Sequence, residues 1–212
     1  MNMEFNKLNL FDDPWLHAIH QNFLSEEYAN KLVEEFPKSD DKIWELEGKI
    51  FNSIHGVKKE LNTKSSMPLS FQKFIDFLES SEFINYIEKT IGIKKLFVDK
   101  NLYGGGLNIY PSNSHLDTHI DFNYNDDIKA YRTVNLIYYL NENYLAKYGG
   151  SFELYDSDKI LKKSISPTLN TCILFATNNE TFHGVSKTSE NFYRKSISIW
   201  YYTKEPQSKV DK

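Results

Sequence analysis

The second half of the sequence is broken into short runs of β-forming residues, and this pattern constrains the fold more than any other feature. The runs are separated by turn residues and comprise 107–110, 118–122, 133–140, 151–155, 160–165, 171–175 and 194–202. Seven or eight strands at this spacing, without long helices between them, are typical of a β-sandwich or jelly roll. We therefore predict a double-stranded β-helix (jelly roll) as the core.

The first hundred residues have a helical period instead. Apolar residues recur at helical spacing in 25–36, 69–78 and 83–91, with Pro37 and Gly92 as stop signals. Residues 40–66 lack a clear period and are interpreted as short strands and loops. We predict an α+β fold in which 1–100 form a helical support region and 101–204 the jelly-roll core. Because one core usually serves up to roughly 250 residues, 1–212 are expected to form a single domain.

Composition limits the partners and the chemistry. The net charge of -4, without a long basic run, argues against nucleic acid. No apolar stretch approaches the ~20 residues that cross a bilayer, and the first seven residues lack the order of a signal peptide, so we expect a cytoplasmic protein without a membrane partner. Cys172 is the single cysteine, so any metal must be held by His and carboxylates. A monomer or homodimer is expected because these states are common.

A candidate metal site is present in the β-rich half. His119 and Asp121 lie two apart on a predicted strand, so both side chains project from one face, about 7 Å apart along the chain. His183 comes several strands later and can return beside them in a jelly roll. Two imidazoles and one carboxylate on one face of an ion leave three positions open, which is the arrangement of non-haem iron(II) oxygenases.

The same dipeptide pattern occurs twice. His115 and Asp117 repeat it four residues earlier, and all four side chains would share one face of a continuous strand. A His-x-Asp pair is also common among ordinary exposed polar residues. The periodicity alone therefore leaves both pairs open as metal ligands.

A longer set of motifs resembles the prolyl 4-hydroxylase and hypoxia-sensing prolyl hydroxylase family of iron(II)- and 2-oxoglutarate-dependent dioxygenases, over roughly residues 103–203. In order along the chain, the similar motifs are Tyr110-Pro111, His119-Ile120-Asp121, 132–141 with its Tyr-Leu-Asn end, 147–154 with Gly149-Gly150, His183, and 194–202. In this alignment His115 falls before the ligand strand. The resemblance therefore favours His119.

The resemblance implies the cofactors iron(II), 2-oxoglutarate and O2, with ascorbate as a possible reductant. It implies that Arg194 binds the distal carboxylate of 2-oxoglutarate, for which a planar guanidinium fork suits better than a lysine. Ser196 shares the strand face of Arg194 and matches the same motif. Tyr139 and Tyr110 match positions whose phenols bond the cosubstrate, although plain core aromatics would show the same pattern. Asn135 could line the pocket or have a structural role between strands.

Several residues keep a plain structural reading. Arg132 matches a family position but is also consistent with an ion pair at the rim, and Gly149-Gly150 indicate a tight turn rather than a phosphate cradle. His17, His20 and His55 are read as surface or hydrogen-bonded histidines.

The function implied is hydroxylation of a C–H bond in peptidyl proline or a small molecule, with release of succinate and CO2. The carboxylate of Asp121 favours hydroxylation over halogenation, because related halogenases lack it. Two alternatives stay open. A metal-dependent cupin-type enzyme would need a fourth ligand and no Arg194, and a jelly-roll binding module would have no turnover.

Overall fold

The computed structural model describes residues 9–53 and 55–206, and over this part fourteen strands form one curled sheet with four α-helices packed against it. The α+β jelly-roll prediction is confirmed. The segment on which the signal-peptide expectation depends, residues 1–8, lies outside the described residues. None of the helices described is long and apolar enough to cross a membrane.

The helices are α1 (Glu26–Glu35), α2 (Ile43–Leu46), α3 (Leu69–Leu78) and α4 (Ser81–Ile91). Three of the four described helices form where the sequence predicts them, and the short α2 lies in the segment 40–66 that was interpreted as strands and loops. The Ser25 and Ser80 hydroxyls cap α1 and α4 by accepting from backbone N–H groups of the first turn. Helix α4 ends at Gly92, whose φ of 82° is the left-handed conformation that glycine adopts without strain.

Most of the strands are short, and they are distributed over the described residues. Their bounds are β1 (Asn9–Phe11), β2 (His17–Gln21), β3 (Lys49–Ser53), β4 (Gly56–Leu61), β5 (Phe97–Val98), β6 (Gly106–Tyr110), β7 (Leu116–His119), β8 (Tyr124–Asn125), β9 (Ala130–Tyr139), β10 (Phe152–Tyr155), β11 (Leu161–Ile165), β12 (Thr171–Ala176), β13 (His183–Val185) and β14 (Arg194–Thr203).

Neighbouring strands in the sheet are mostly distant in sequence. The order is β1-β2-β12-β9-β14-β6-β4-β7-β13-β10-β11, with β3 on β4, β5 on β14 and β8 on β9. Strands β7 and β13 are neighbours, as are β6, β14 and β9. These two groups carry the candidate metal ligands and the candidate cosubstrate residues.

The two longest strands separate a helix-facing core from an interior face. Along β9, Leu136 and Tyr138 pack into the core under the helices, while Ile137 and Tyr139 join a second cluster inside the curled sheet. Tyr138 lies against Phe74 of α3 with ring centroids 5.1 Å apart. Each fully buried apolar side chain of this kind contributes roughly 1.5–3 kcal/mol. The helices thereby hold the back of β9 and β14, and the interior face is free for a site.

The structure differs from the sequence expectations in two places. Strands β1 and β2 were not predicted, and β2 pairs with the jelly-roll strand β12, whereas β3 and β4 lie in 40–66, where short strands were expected. The strand predicted over 118–122 is β7, which ends at His119, and Asp121 lies just beyond it. The chain can therefore turn the Asp121 carboxylate toward the two histidines, instead of carrying it straight along the strand.

Candidate metal and cosubstrate site

Two histidines face each other across neighbouring strands. His119 on β7 and His183 on β13 are direct cross-strand partners, and their ring centroids lie 4.5 Å apart. The Asp121 carboxylate completes the group, with Oδ1 3.7 Å from His119 Nε2 and Oδ2 3.4 Å from His183 Nε2. One donor atom from each residue lies within 4.8 Å of the other two, so the three could hold one metal ion.

The backbone fixes which nitrogen each imidazole presents. His119 Nδ1 lies 2.8 Å from the carbonyl oxygen of Asp117, and His183 Nδ1 lies 2.9 Å from that of Thr181. A carbonyl oxygen can only accept, so each Nδ1 donates its proton and each neutral ring keeps its lone pair on Nε2. Both lone pairs are then available on the side of Asp121, as ligation requires.

The carboxylate of Asp121 is held by two side chains of β9. Its Oδ2 lies 3.0 Å from Arg132 Nη2 and accepts a 2.6 Å hydrogen bond from Asn135 Nδ2. Burial alone would raise the pKa of this carboxyl, but Arg132, followed by His183 and His119, holds the pKa well below its usual range. Asp121 is therefore a permanent anion.

His183 sits in an aromatic enclosure. Its ring centroid is 5.2 Å from that of Phe175 and 5.4 Å from that of Phe152, and Trp15 lies at 6.4 Å. Burial lowers the pKa of His183 to about 4, with Asp121 opposing the shift. The imidazole is therefore neutral at physiological pH, which is the form that binds a metal.

Arg194, at the start of β14, is buried on the interior face of the sheet. Its Nε donates to the carbonyl of Gly150 at 2.7 Å, and its Nη2 donates to the hydroxyl of Tyr139 at 3.0 Å. A Cβ on Gly150, whose φ is +73°, would come within 3.1 Å of Arg194 Cδ, so the glycine makes room for the guanidinium. The remaining N–H donors are available for an anion.

The neighbours of Arg194 are set by strand register. Arg194 pairs with Tyr110 on β6, and Ser196 pairs with Tyr139 on β9. The guanidinium carbon lies 4.9 Å from the centre of the Tyr110 ring and 4.8 Å from that of Tyr139. Burial raises the pKa of Tyr139 to about 12, although Arg194 opposes the shift. The phenol keeps its proton. Tyr139 is fully buried next to Arg194 and is not among the residues that line the cavity.

These groups share one cavity of about 340 Å³. Its wall includes His119, Asp121, His183, Arg194, Ser196 and Tyr110. Phe51 and Phe122 also line it and are 43% and 41% exposed, so they mark its mouth. The metal candidates and the carboxylate-binding candidates therefore open into the same cavity.

Two predicted residues contact the Asp121 carboxylate. Asn135 is fully buried behind Asp121 and is not part of the cavity wall, so of its two readings the structure shows the structural one, in which its amide bonds the Asp121 carboxylate. Arg132 is not an ion pair at the rim, because it is 4% exposed and stacked 3.7 Å from the Trp200 ring. Both residues act on Asp121.

The sequence reasoning missed an ion pair on the cavity wall. Lys58 and Glu60 alternate on β4, so both face inward, and Lys58 Nζ contacts Glu60 Oε1. The signal was the two-residue spacing in Gly-Val-Lys-Lys-Glu-Leu. This alternation of charges is also typical of a solvent-exposed strand. Only the position of β4 between β6 and β7 in the sheet shows that Lys58 and Glu60 face the cavity.

The remaining histidines lie apart from this cavity. His115 and His55 flank the Asp117 carboxylate at 3.2 Å each, and the three side chains are 42%, 68% and 52% exposed. His17 is buried, with Nδ1 2.8 Å from the Trp15 carbonyl, and His20 is 8% exposed. The structure thus places His119, and not His115, beside His183.

The donor set fits iron. Two imidazoles and one carboxylate on one side leave the opposite positions free, which suits non-haem iron(II) with a chelating cosubstrate. Among the described residues, no further His, Cys or carboxylate joins this group.

Comparisons with known proteins agree with this geometry. Residues 105–202 match the family model of the 2OG-Fe(II) oxygenase superfamily. A mouse prolyl 3-hydroxylase, OGFOD1, is 28% identical over 204 residues, which cover 90% of this chain and 33% of that protein. The chain thus spans about a third of the length of this relative.

Solved structures share the fold. A Pseudomonas putida prolyl-4-hydroxylase superposes with a TM-score of 0.65 at 16% identity, covering 88% of this chain and 91% of that one. A Trichoplax adhaerens prolyl hydroxylase, in complex with a hypoxia inducible factor peptide fragment, gives 0.63 at 18% identity, covering 88% and 83%. Residues 105–202 of this chain are thus similar to the 2OG-Fe(II) oxygenase superfamily, and the described chain shares the fold of prolyl 4-hydroxylases.

Proposed function

We propose that this chain is an iron(II)- and 2-oxoglutarate-dependent dioxygenase that hydroxylates a C–H bond of its substrate and releases succinate and CO2. The observation that carries the proposal is that one cavity joins the His119, Asp121 and His183 group to a buried guanidinium, Arg194. The first group suits iron, and the second suits the carboxylate of a chelating cosubstrate.

Each protein group has a definite task in this reaction. His119 and His183 would bind iron through Nε2, and Asp121 through its carboxylate. Iron, when bound, supplies the activation of dioxygen. Arg194 would bind the distal carboxylate of 2-oxoglutarate with Ser196 beside it, and the Tyr139 hydroxyl would hold the guanidinium in place by accepting from its Nη2. Tyr110 would close the same pocket.

The cavity wall also protects the reaction. Phe152 and Phe175 surround His183 and exclude water from its side of the site. In a dry cavity the charge interactions of the bound dicarboxylate strengthen, and the oxidant is kept from side reactions. A cupin-type reaction without 2-oxoglutarate would leave the buried Arg194 without an anion.

For the substrate we propose a peptidyl prolyl residue or a small molecule of similar size. The exposed rings of Phe51 and Phe122 can contact the chain on either side of such a residue. The Trp200 ring forms part of the same wall and can contact the substrate. The prolyl hydroxylases among the relatives support this substrate class.

We propose that residues 1–212 act as one oxygenase unit, as a monomer or homodimer, in the cytoplasm. The single cysteine and the absence of a long basic run support this setting and a site that does not need nucleic acid.

The proposal is tested by succinate formation. Anaerobically purified protein is mixed with iron(II), ascorbate and 2-oxoglutarate and then exposed to air. We expect slow succinate release even without substrate. His119→Ala and Arg194→Ala should lose it, while the matched variants His115→Ala and Lys195→Ala should keep it.

The outcomes separate the alternatives. Equal succinate from His119→Ala and the native chain would refute the metal assignment. If the native chain gives none, the weak visible band of iron-bound 2-oxoglutarate decides. A band without turnover means that the reaction awaits its substrate, and no band would refute cosubstrate binding in favour of a cupin or a binding module.

A further inference from the structure

Arg132 forms a closed hydrogen-bonded triangle with the metal carboxylate. Its Nη2 lies 3.0 Å from Asp121 Oδ2, and its Nε donates to Asn135 Oδ1 at 2.8 Å. The Asn135 amide nitrogen then donates to the same Asp121 Oδ2 at 2.6 Å. Arg132 and Asn135 are 4% and 0% exposed, so these contacts are made without competing water.

The triangle makes the two carboxylate oxygens unequal. Each oxygen of an ionised carboxylate offers about two lone-pair directions. On Asp121 Oδ2 both are directed to N–H donors, one from Arg132 and one from Asn135. Oδ1 has no such donor and lies 3.7 Å from His119 Nε2. Oδ2 lies 3.4 Å from His183 Nε2, but that nitrogen carries a lone pair, because Nδ1 of the same ring donates to the Thr181 carbonyl. Oδ1 is therefore the oxygen left for a metal ion.

We infer that Arg132 is a positioning residue that, with Asn135, fixes Asp121 as a one-oxygen metal ligand through Oδ1. This inference rests on the metal site of the proposed function. If Oδ2 were released, the carboxylate could rotate or chelate the ion with both oxygens. Either change would disturb the three positions that cosubstrate and dioxygen need.

The position of Arg132 depends in turn on the cavity wall. Its guanidinium carbon lies 3.7 Å from the Trp200 ring and 4.8 Å from the Phe122 ring. Trp200 is also the cross-strand partner of Asn135. Both rings line the cavity, so the wall that contacts substrate also holds the residue that orients the metal ligand.

Two opposite effects predict opposite results when Arg132 is removed. Through-space repulsion between the guanidinium and a dication would be relieved, so the metal would bind more tightly. Loss of orientation would weaken binding, and losing a group that orients a metal ligand typically costs about 10–100-fold in affinity. Because the pair is hydrogen-bonded and buried, we expect the loss of orientation to dominate.

The experiment measures Mn²⁺ affinity of the full chain without oxygen or turnover, with free Mn²⁺ counted by electron paramagnetic resonance. Arg132→Met should bind Mn²⁺ about 10–100-fold more weakly than the native chain. Lys129→Met removes an exposed cation that pairs with Asp126, so it controls for long-range charge and should be unchanged.

Two variants of Trp200 test the inference if Arg132→Met does not fold. Trp200→Phe keeps a ring against the guanidinium and should bind Mn²⁺ nearly as the native chain does, whereas Trp200→Leu should bind at least ~3-fold more weakly. Unchanged or tighter binding by folded Arg132→Met, or equal affinities of the two Trp200 variants, would overturn the inference. Native-like Mn²⁺ binding by His119→Ala would instead refute the metal site itself.

Discussion

Replacing Arg194 by lysine tests the cosubstrate anchor while keeping its charge. Arg194 donates through Nε to Gly150 and through Nη2 to Tyr139, and the rest of the fork faces the cavity. A lysine ammonium is a single point of charge. It cannot bond the Gly150 carbonyl and the Tyr139 hydroxyl and at the same time hold both oxygens of a carboxylate. We expect Arg194→Lys to weaken 2-oxoglutarate binding while the metal site stays intact.

The magnitude follows from the bonds that are lost. A hydrogen bond to a charged group contributes about 1.5–3 kcal/mol, so losing one of two fork contacts should weaken the affinity about 10–150-fold. The buried Gly150 carbonyl also loses its donor, which should lower the free energy of unfolding by about 1–3 kcal/mol. Anaerobic titration of iron-loaded protein with 2-oxoglutarate, followed through its visible band, measures the first effect, and urea denaturation measures the second.

Lys195→Met is the matched control, since Lys195 lies next on β14 and its ammonium reaches Phe36 on the helix side. Its 2-oxoglutarate affinity should equal that of the native chain. An affinity of Arg194→Lys within twofold of native, with unchanged stability, would show that the fork does not hold the cosubstrate.

Three further results are expected. Because burial lowers the pKa of His183 to about 4, the unfolded state of the metal-free protein binds a proton that the folded state excludes as the pH falls from 6.5 toward 4. The free energy of unfolding should be highest above pH 6.5 and should fall by up to about 3 kcal/mol between pH 6.5 and 4. In urea titrations, the free energy of unfolding of His183→Leu should depend less on pH than that of the native chain. An equal pH dependence would contradict this role of His183. Phe152→Ala should lower the free energy of unfolding by about 3–5 kcal/mol, because Phe152 is 1% exposed and packs on Phe175; a loss under 1 kcal/mol in urea would be inconsistent with this packing. Gly149→Ala should cost more than about 1 kcal/mol, since a Cβ there would overlap the Lys187 carbonyl at a φ of +65°, and thermal melting at native values would argue against that close approach.

The sequence predicts best where a strand separates two different environments. On β9 and β14 alternate residues face the helices or the cavity, so the pattern places Arg194, Ser196 and Tyr139 on one side correctly. The bounds of helix α1 are also predicted well, because a capping serine, a helical apolar period and a following proline indicate the same segment.

Pairing between strands that are distant in sequence could not be predicted from the sequence. Strand β13 has three residues and forms because β7 and β10 lie on either side of it, so it lacks a local signal. Asn135 was placed on the interior face, but its partner there is decided by where the loop after β7 brings Asp121. Lys58 and Glu60 were missed for the same reason, because β4 enters the sheet far from its sequence neighbours.

The most direct test of the account is equilibrium dialysis without oxygen, measuring iron(II) and 2-oxoglutarate bound per chain. The native protein should bind one of each, with 2-oxoglutarate depending on iron. His183→Ala should bind neither iron(II) nor 2-oxoglutarate. His55 pairs with the exposed Asp117 outside the site, so His55→Ala should still bind one of each. Iron retained by His183→Ala, or 2-oxoglutarate bound equally well without iron, would contradict the site.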